Sequence, residues 1–564
     1  MSLYIYITII LTLTACSTAQ PISRRSLGRD LAQVFNNARE SLKIKLQHHI
    51  QDGSRLSITT DTWSARNYRE FTTVTGHWID KNWIHQSTVL DLMELKEPIH
   101  SGEYLAEMLA KITDSLGITQ SVFTITRDNA SPNDVMLLNF ESEAYTQRMA
   151  SKSVEHPWSF TRKDGDIRCI GHIINLAVQA ALTHLKATPS DSTDTYWMEP
   201  DAARVPISQT QEEVVSALSK LRRHIYIFRN RRGFRTLLER QLKISGIKRH
   251  LLTLDMLVRW NSTYEMINHA CTQEEAINAV CASQQIDISV RTIKLTDSDW
   301  AIIHHLLKLF EIFVHPSRKL QASTYPTMNY AILQYLQIIK KLKEFQQTIG
   351  HNTAIGLATQ KSIDKLNEYY NLLHSSTYAG IATICDPRFN FSVFQVVLPS
   401  SQDDCKRQKL RLNMKECYTR YQQREQAIRR LKLHENPAPT TQDPKDDDEL
   451  SDAELYRSAP AVPETETELE RYLGQERLPR DIDIYQYWKA KQFDYPIIAR
   501  IARDYLAIPA TSAPSECVFS QGSDVVTKKR NRLTGDSIRM IMCLKAWGIF
   551  TDEDSDDDTN DDDV

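Results

Sequence analysis

The feature that most constrains the fold is a change in hydrophobic periodicity along the chain. Between Leu56 and Leu95, three consecutive segments are rich in Thr, Val, Ile and aromatic residues, a composition typical of β-strands. Two shorter strand-like segments, in "SVFTITRDNA" and "DIRCI", follow a helix predicted between an N-cap at Ser101 and a terminal Gly117. Beyond about residue 180 the periodicity becomes helical for about 250 residues. The sequence therefore predicts an α/β plus α fold, with a mixed β-sheet, flanking helices and a large helical block.

We divide the 564 residues into six segments, because a chain of this length exceeds what one hydrophobic core usually serves. The segments are an apolar start at 1–20, the first part of the α/β core at 21–180, a helical insertion at 181–435, an acidic Pro-containing linker at 436–480, the last part of the core at 481–550 and an acidic tail at 551–564. Residues 3–20 resemble a signal-peptide apolar region but lack preceding basic residues. A buried segment or a shortened N-terminus is the preferred interpretation, and secretion or membrane tethering is the alternative.

Charge is unevenly distributed along the chain. The formal net charge is −3, but the segments Asp443–Glu470 and Asp552–Val564 are strongly acidic, which leaves about +15 on the remaining residues. A basic body favours a polyanionic partner and disfavours an acidic one. The nine cysteines are scattered without any Cys-x-x-Cys pair, which favours a reducing compartment over a secreted disulfide framework.

Two aspartates end strand-like segments, Asp61 in "TTDTW" and Asp128 in "ITRDNA". Carboxylates at strand ends can hold hard cations over a crevice, although Asp also commonly caps a turn. A third carboxylate would favour a site for two divalent ions, since such ions need shared oxygen ligands. Glu516, in "PSECVFSQG", lies among small and apolar residues, and because Glu is seldom buried without a partner, the sequence raises the question of what this side chain faces.

Several short motifs follow one another along the chain: "TTDTWSA", "TRDNASPND", "CIGHIINLAV", "LDMLVRWNSTYEM", "YPTMN", "CDPRF" and the segment from "YPIIARIARDYL" to "KKRNRL". In this order, and spread from about residue 21 to 548, they resemble the hAT superfamily of DNA transposases. The resemblance implies an RNase H-like catalytic core interrupted by a helical insertion and completed by a C-terminal dimerisation region. It also implies that Asp61, Asp128 and Glu516 are catalytic acids that bind two Mg²⁺ or Mn²⁺ ions and act on DNA without a covalent enzyme intermediate.

Two further motifs of the resemblance concern the neighbourhood of the cleaved strand. Cys169 and His172 match a Cys-x-x-His pattern that lies beside the active site in the family; no structural zinc is expected, because no second ligand pair stands at usable spacing. Arg259 and Trp260 suit contact with a phosphate and stacking on an unpaired base, and in the family the tryptophan supports a flipped base. A core cysteine, a satisfied helix histidine and a core tryptophan are the alternatives.

Two basic clusters are candidates for contact with DNA phosphates, since each neutralised phosphate releases counterions. The first, in "SKLRRHIYIFRNRRGFRTLLERQLK", contributes Arg222, Arg223, Arg231 and Arg232. The second, in "TKKRNR", contributes Lys528, Lys529 and Arg530, and is also a candidate nuclear import signal. A solvated charged face is the alternative for the first cluster.

We therefore expect a hAT-type transposase, or a protein derived from one, that binds DNA in the nucleus and self-associates, with no membrane and no small-molecule substrate as partner. The terminal helix "SIRMIMCLKAWGIF" is apolar around most of its circumference, which suits dimerisation or completion of its own core. The Cys and His residues of the BED zinc finger that many family members carry are absent from this sequence. The alternative function is a domesticated, non-catalytic DNA-binding and dimerising protein that regulates transcription or chromatin.

Overall fold

The computed structural model describes residues 23–65, 67–151, 157–186, 209–256, 260–283, 294–435, 467–526 and 533–549. Several features predicted from the sequence lie outside these ranges: the apolar start, Arg259, the cluster of Lys528, Lys529 and Arg530, most of the acidic linker and the acidic tail. The chain forms two compact units. The first comprises the segments up to Cys169, from Gln321 to Ala331 and from Ser376 onward, and the second comprises Ile170–Leu320 and Ile332–Ser375.

The first unit contains a five-stranded mixed sheet. Its strands are β1 (Leu56–Ser64), β2 (Glu70–Ile79), β3 (His85–Leu95), β4 (Val122–Arg127) and β5 (Asp166–Arg168). The spatial order is β3-β2-β1-β4-β5; β2 is antiparallel to both β1 and β3, and β4 is parallel to both β1 and β5. All five strands correspond to strand-like segments predicted from the sequence. The central strand β1 therefore carries Asp61 between β2 and β4.

Twenty helices lie in the described parts of the chain. In chain order they are α1 (Arg24–Ile50), α2 (Gly102–Leu116), α3 (Pro132–Ser151), α4 (Arg162–Gly165), α5 (Ile170–His184), α6 (Gln209–Asn230), α7 (Arg232–Ser245), α8 (Trp260–Thr272), α9 (Glu274–Ala282), α10 (Asp297–Leu320), α11 (Ala331–Ile349), α12 (Ala354–Ser375), α13 (Tyr378–Ile384), α14 (Val393–Val397), α15 (Asp404–Glu435), α16 (Glu468–Leu473), α17 (Ile484–Lys491), α18 (Pro496–Leu506), α19 (Ala513–Val525) and α20 (Gly535–Ala546). Short 3₁₀ turns occur at Thr119–Ser121, Met328–Tyr330 and Ser401–Asp403.

Helix α2 shows how local sequence sets an element of the first unit. The Ser101 hydroxyl accepts a hydrogen bond from the Tyr104 backbone N–H at 3.2 Å, which satisfies one of the free donors at the helix start. Gly117 ends the helix with φ of 67°, a conformation that costs glycine little. Leu109 and Ile112, on the inner face, are buried in the core beneath the sheet. The predicted helix and both of its ends are confirmed.

The end of the chain packs back onto the sheet through α19 and α20. Their apolar side chains form one buried cluster with α1, β2 and β3. Ile538 and Met542 of α20 are buried in this cluster, and the Trp547 indole N–H donates to the Val89 carbonyl at 2.8 Å. The terminal helix thus completes the core of its own unit, which was one of the two interpretations of its apolar surface.

The second unit is built mainly of helices α5 to α12. Helix α12 lies along α5, where the Ser362 hydroxyl donates to the Ala177 carbonyl at 2.8 Å. Residues 376–435, which the sequence pattern places in the helical block, lie in the first unit. The predicted fold class, a mixed sheet with flanking helices interrupted by a helical unit, is confirmed. No helix within the described ranges combines the length and apolar character needed to span a bilayer.

Candidate active site

Asp61 and Asp128 lie at the same level of two neighbouring strands. Thr59 of β1 pairs in register with Thr126 of the parallel strand β4. Each aspartate follows its threonine by two residues, and side chains two residues apart on a strand point to the same face. Both carboxylates are partly exposed. The topology therefore brings two acids from separate segments to one edge of the sheet.

Glu516 reaches this edge because helix α19 packs against β1. The Ser515 hydroxyl lies 2.7 Å from the Thr59 hydroxyl, and both side chains are fully buried. One helical turn later, Phe519 stacks on Trp63 with ring centroids 5.9 Å apart and planes 13° from parallel. Glu516 itself, in the first turn of α19, is exposed. The helix thus presents a third carboxylate beside the two on the strands.

The electrostatics of Asp61 connect the three acids. Burial, together with the negative charges of Asp128 and Glu516, raises the pKa of Asp61 to about 7, against the hydrogen bond donated by the Thr62 backbone N–H at 2.8 Å. When neighbouring carboxylates raise the pKa of a carboxyl group, a bound cation counteracts them, because the cation stabilises the ionised form. All three side chains offer the oxygen ligands that Mg²⁺ and Mn²⁺ prefer. The donor set therefore fits divalent cations in its chemistry.

The three carboxylates are not positioned to surround a metal ion. Among the described residues, no group of three or more His, Cys, Asp or Glu side chains is placed to hold a metal. The exposed side chain of Glu516 has rotamer freedom that the two strand-end acids lack.

The carboxylate of Asp128 is held by its own loop. Its Oδ1 accepts hydrogen bonds from Asn133 Nδ2 at 2.5 Å and from the Ala130 backbone N–H at 3.1 Å. This geometry also satisfies the alternative interpretation, in which Asp128 caps the turn before α3. The two roles are compatible, since only Oδ1 receives these bonds.

Arg127 organises this loop, and sequence reasoning did not identify it. The side chain is fully buried and donates from Nε and Nη2 to Asp166, both at 2.9 Å. It also pairs with Asp134 and donates from Nη1 to the Asp128 carbonyl at 3.0 Å. A cation within the otherwise apolar and Thr-rich strand "VFTITR" was the available signal, because a buried arginine requires acidic partners.

Cys169 and His172 lie on either side of the boundary between the units. Cys169 is buried, and its sulfur accepts hydrogen bonds from the Ser512 N–H at 3.3 Å and the Ser512 hydroxyl at 3.4 Å. It thereby holds the segment before α19 to the end of β5. His172, on α5, is half-buried. The role of His172 beside the active site stays a prediction.

Trp260 is a core residue of the second unit. Its side chain is 4% exposed and packs edge-on against Phe313 at 6.1 Å between centroids. A ring buried in this way offers no free face to a base, so the structure agrees with the alternative interpretation of an ordinary core tryptophan.

The first basic cluster divides into buried and exposed cations. Arg222 is 5% exposed and donates to both carboxylate oxygens of Asp255, at 3.0 and 2.8 Å. Arg222 therefore stabilises the helical unit, which corrects its prediction as a phosphate contact. Arg223 and Arg231 are half-buried, whereas Arg232, at the start of α7, is exposed.

Comparison with known proteins gives three family matches. Residues 59–155 match the ZBED1 RNase-like domain, residues 167–309 the ZBED1 RNase-like helical domain, and residues 468–548 the hAT family C-terminal dimerisation region. The first match begins at Thr59 and contains Asp61 and Asp128, and the last contains Glu516.

Curated relatives are similar over almost the whole chain. The chain is 25% identical to "Putative transcriptional regulator tpeD" of Talaromyces stipitatus, over 94% of this chain and 58% of the relative. It is 24% identical to "Putative AC transposase" of Zea mays, over 93% and 60%, and 23% identical to "Zinc finger BED domain-containing protein RICESLEEPER 3" of Oryza sativa, over 87% and 61%. The chain thus spans about 60% of the length of these relatives.

Proposed function

The chain belongs to the hAT family, and on that premise we propose that it is a transposase, or a transposase-derived nuclease, that cleaves and joins DNA strands. Asp61, Asp128 and Glu516 are the proposed ligands of two Mg²⁺ or Mn²⁺ ions. One observation carries the proposal: helix α19 packs on β1, so that the charge of Glu516 acts on Asp61 together with that of Asp128. Two-metal phosphodiester chemistry requires carboxylates that lie close together. The mutual repulsion of three acids gives no structural reason for them to do so.

The chain's own residues have distinct parts in this chemistry. Bound divalent ions would supply Lewis-acid stabilisation of the charge that develops on the phosphate oxygens. Asn133 orients the Asp128 carboxylate, and Arg127 fixes its main-chain carbonyl. The Thr62 N–H orients Asp61, whose raised pKa means that it releases a proton as the site takes up a cation. Preorganised ligands of this kind lower the cost of binding metal and substrate together.

The proposed partners are DNA and a second copy of the chain, and the proposed location is the nucleus. Arg232, Arg231 and Arg223 are proposed phosphate contacts, together with the cluster of Lys528, Lys529 and Arg530. The family's dimerisation region supports self-association, and a homodimer or higher oligomer is the proposed state. Since α20 is largely buried within its own unit, the dimer contact belongs on the exposed faces of residues 468–548 rather than on the buried face of α20.

Nicking of supercoiled plasmid DNA tests the proposal. Wild-type protein should convert supercoiled to nicked or linear DNA with Mn²⁺ or Mg²⁺ and not with EDTA. Asp128→Asn and Glu516→Gln should each lower the rate by about 10³-fold, a magnitude typical of loss of a group that acts on the transition state. Asp364→Asn, on the exposed surface of α12, is the matched control and should cleave like wild type. Cleavage that survives in Asp128→Asn would overturn the assignment.

A second candidate function is a non-catalytic DNA-binding regulator. Two observations favour it: a relative named as a transcriptional regulator matches 94% of the chain, and the three acids do not close around a metal. It predicts DNA binding and self-association with no nicking by the wild-type protein, so the same assay separates the two.

A further inference from the structure

Three threonines form a row across the middle of the sheet beneath the acids. Thr75 of β2, Thr59 of β1 and Thr126 of β4 are paired with one another in register on neighbouring strands. All three are 2% exposed or less. The Thr59 and Thr75 hydroxyls lie 2.5 Å apart, and Thr75 Oγ1 lies 2.7 Å from Nε2 of the buried His77. We refer to Thr75, Thr59 and Thr126 as the threonine row.

The threonine row receives the segment that leads into α19. The Thr126 hydroxyl donates to the Pro509 carbonyl at 2.9 Å, and the Thr59 hydroxyl shares a 2.7 Å hydrogen bond with Ser515. These two contacts lie at the two ends of residues 509–515 and on two adjacent strands. Each contact is one or two residues from an acid: Thr59 from Asp61, Thr126 from Asp128, and Ser515 from Glu516.

We propose that the threonine row is a positioning device that sets the placement of Glu516 relative to Asp61 and Asp128. This inference rests on the proposed function, because it assigns a task within that site. The apolar contacts of α19, such as the stacking of Phe519 on Trp63, hold the helix against β1 and depend mainly on the apolar area that they bury. Hydrogen bonds are directional and short-ranged, so the Thr59–Ser515 bond fixes the register of the first turn of α19.

A purely structural hydrogen bond is the competing explanation, and the strand offers a matched control for it. Thr60, the next residue of β1, is also buried, and its hydroxyl lies 3.4 Å from that of Thr72 on the opposite face of the sheet. Thr59→Val and Thr60→Val each remove one buried hydroxyl from the same strand while keeping the side-chain shape. Only Thr59→Val removes a contact to the segment that carries Glu516.

The first test compares Thr59→Val, Thr59→Ser and Thr60→Val in metal-dependent DNA nicking. In Thr59→Val, kcat should fall by about 10- to 100-fold, since a displacement of about 1 Å in a reacting group has effects of this size. KM for DNA should stay within about 2-fold of wild type, because the DNA contacts lie elsewhere. Thr59→Ser, which keeps the hydroxyl, and Thr60→Val should both cleave close to the wild-type rate. Equal rates for Thr59→Val and Thr60→Val would overturn the proposal.

Hydrogen exchange gives a second readout that does not depend on catalysis. The amides of Ala513, Ser515, Glu516 and Cys517 should exchange about 10-fold faster in Thr59→Val than in wild type and should be unchanged in Thr60→Val and Thr59→Ser. If the wild-type protein does not nick DNA, the proposed function fails, but this exchange result still decides whether the threonine row holds the turn that carries Glu516. Unchanged exchange in Thr59→Val would overturn the positioning role.

Discussion

Two carboxylates of the same sheet, Asp61 on β1 and Asp91 on β3, have opposite surroundings. Asp91 is 1% exposed and accepts hydrogen bonds from Arg539 Nε at 2.6 Å and Arg39 Nη2 at 3.3 Å. The pKa of Asp61 is raised by burial and also by the negative charges of two other acids, Asp128 and Glu516. Asp91, which is paired with two arginines, joins α1 and α20 to the sheet. Asp61, which lies among other acids, destabilises the folded chain. A cost of this kind is expected where a site serves function rather than folding.

The other most deeply buried aspartates of the described residues resemble Asp91. Each lies against a lysine or an arginine: Asp255 with Arg222, Asp299 with Lys220, Asp386 with Arg388 and Asp504 with Arg55. Removing a partner from such a pair leaves a buried charge uncompensated. The contrast with Asp61 therefore leads to predictions of opposite sign.

The largest expected effect is that of Asp91→Asn. The neutral amide leaves Arg39 and Arg539 close together in a mostly buried site without a counter-charge. The free energy of unfolding should fall by about 3 kcal/mol, as measured by urea denaturation. The exposed Asp364→Asn serves as control and should change it by less than about 0.5 kcal/mol. A wild-type transition midpoint for Asp91→Asn would contradict the structural role given to this pair.

Asp61→Asn should act in the opposite direction in the metal-free protein. Burial raises the pKa of Asp61 to about 7, so the folded state binds a proton that the unfolded state has already released between about pH 4 and 7. Wild-type stability should therefore fall as the pH rises through this range. At pH 8, Asp61→Asn should be more stable than wild type by about 1 to 3 kcal/mol, and this gain should vanish near pH 4. Denaturation curves at both pH values measure it; an equal difference at both would contradict the assigned pKa.

Gly522→Ala should weaken the packing that keeps Glu516 beside Asp61. A Cβ at this position would lie 2.6 Å from Trp63 Cη2 and 2.8 Å from Met542 Cε, so α19 must move away from β1. The free energy of unfolding should fall by about 1 to 2 kcal/mol. Gly28→Ala is the matched control, because a Cβ there meets nothing within 4 Å and alanine favours the helix by about 0.5 to 1 kcal/mol. Thermal denaturation measures both variants, and a higher unfolding midpoint than wild type for both of them would refute the close approach.

The smallest expected effect concerns DNA binding, in which a paired cation, Arg222, is compared with an exposed cation, Arg232. Arg232→Gln should lower the slope of log affinity against log salt concentration by about 1, because one phosphate contact is lost. Arg222→Gln should leave this slope unchanged, since Arg222 is already bound to Asp255. Fluorescence anisotropy with duplex DNA between about 50 and 200 mM salt measures both slopes. A reduced slope for Arg222→Gln alone would reverse the assignment.

Local sequence predicts those features that local interactions determine. The strands followed from their Thr, Val and Ile content, and α2 from Ser101 and Gly117, because caps and strand propensity act within a few residues. The repeated Thr-x-Asp pattern at Thr59 and Thr126 was visible in the sequence, but its meaning required the register of β1 against β4.

Contacts between distant segments could not be predicted from residue patterns alone. Nothing in the local sequence pairs Ser515 with Thr59 or Arg539 with Asp91, because tertiary packing decides these contacts. A run of arginines also does not reveal which side chains face inward, and this is why Arg222 was misassigned. The inclusion of Glu516 with the two strand-end acids rested on the family resemblance rather than on its own surroundings.

The most direct test of convergence at one metal site is backbone cleavage by bound iron. Fe²⁺ in place of Mg²⁺, with ascorbate and peroxide, generates hydroxyl radicals that cut the chain close to the ion. The account predicts cuts in three segments, around Asp61, Asp128 and Glu516, all suppressed by excess Mg²⁺ and absent in Asp128→Asn. Cuts near Asp61 and Asp128 with none near Glu516 would contradict it.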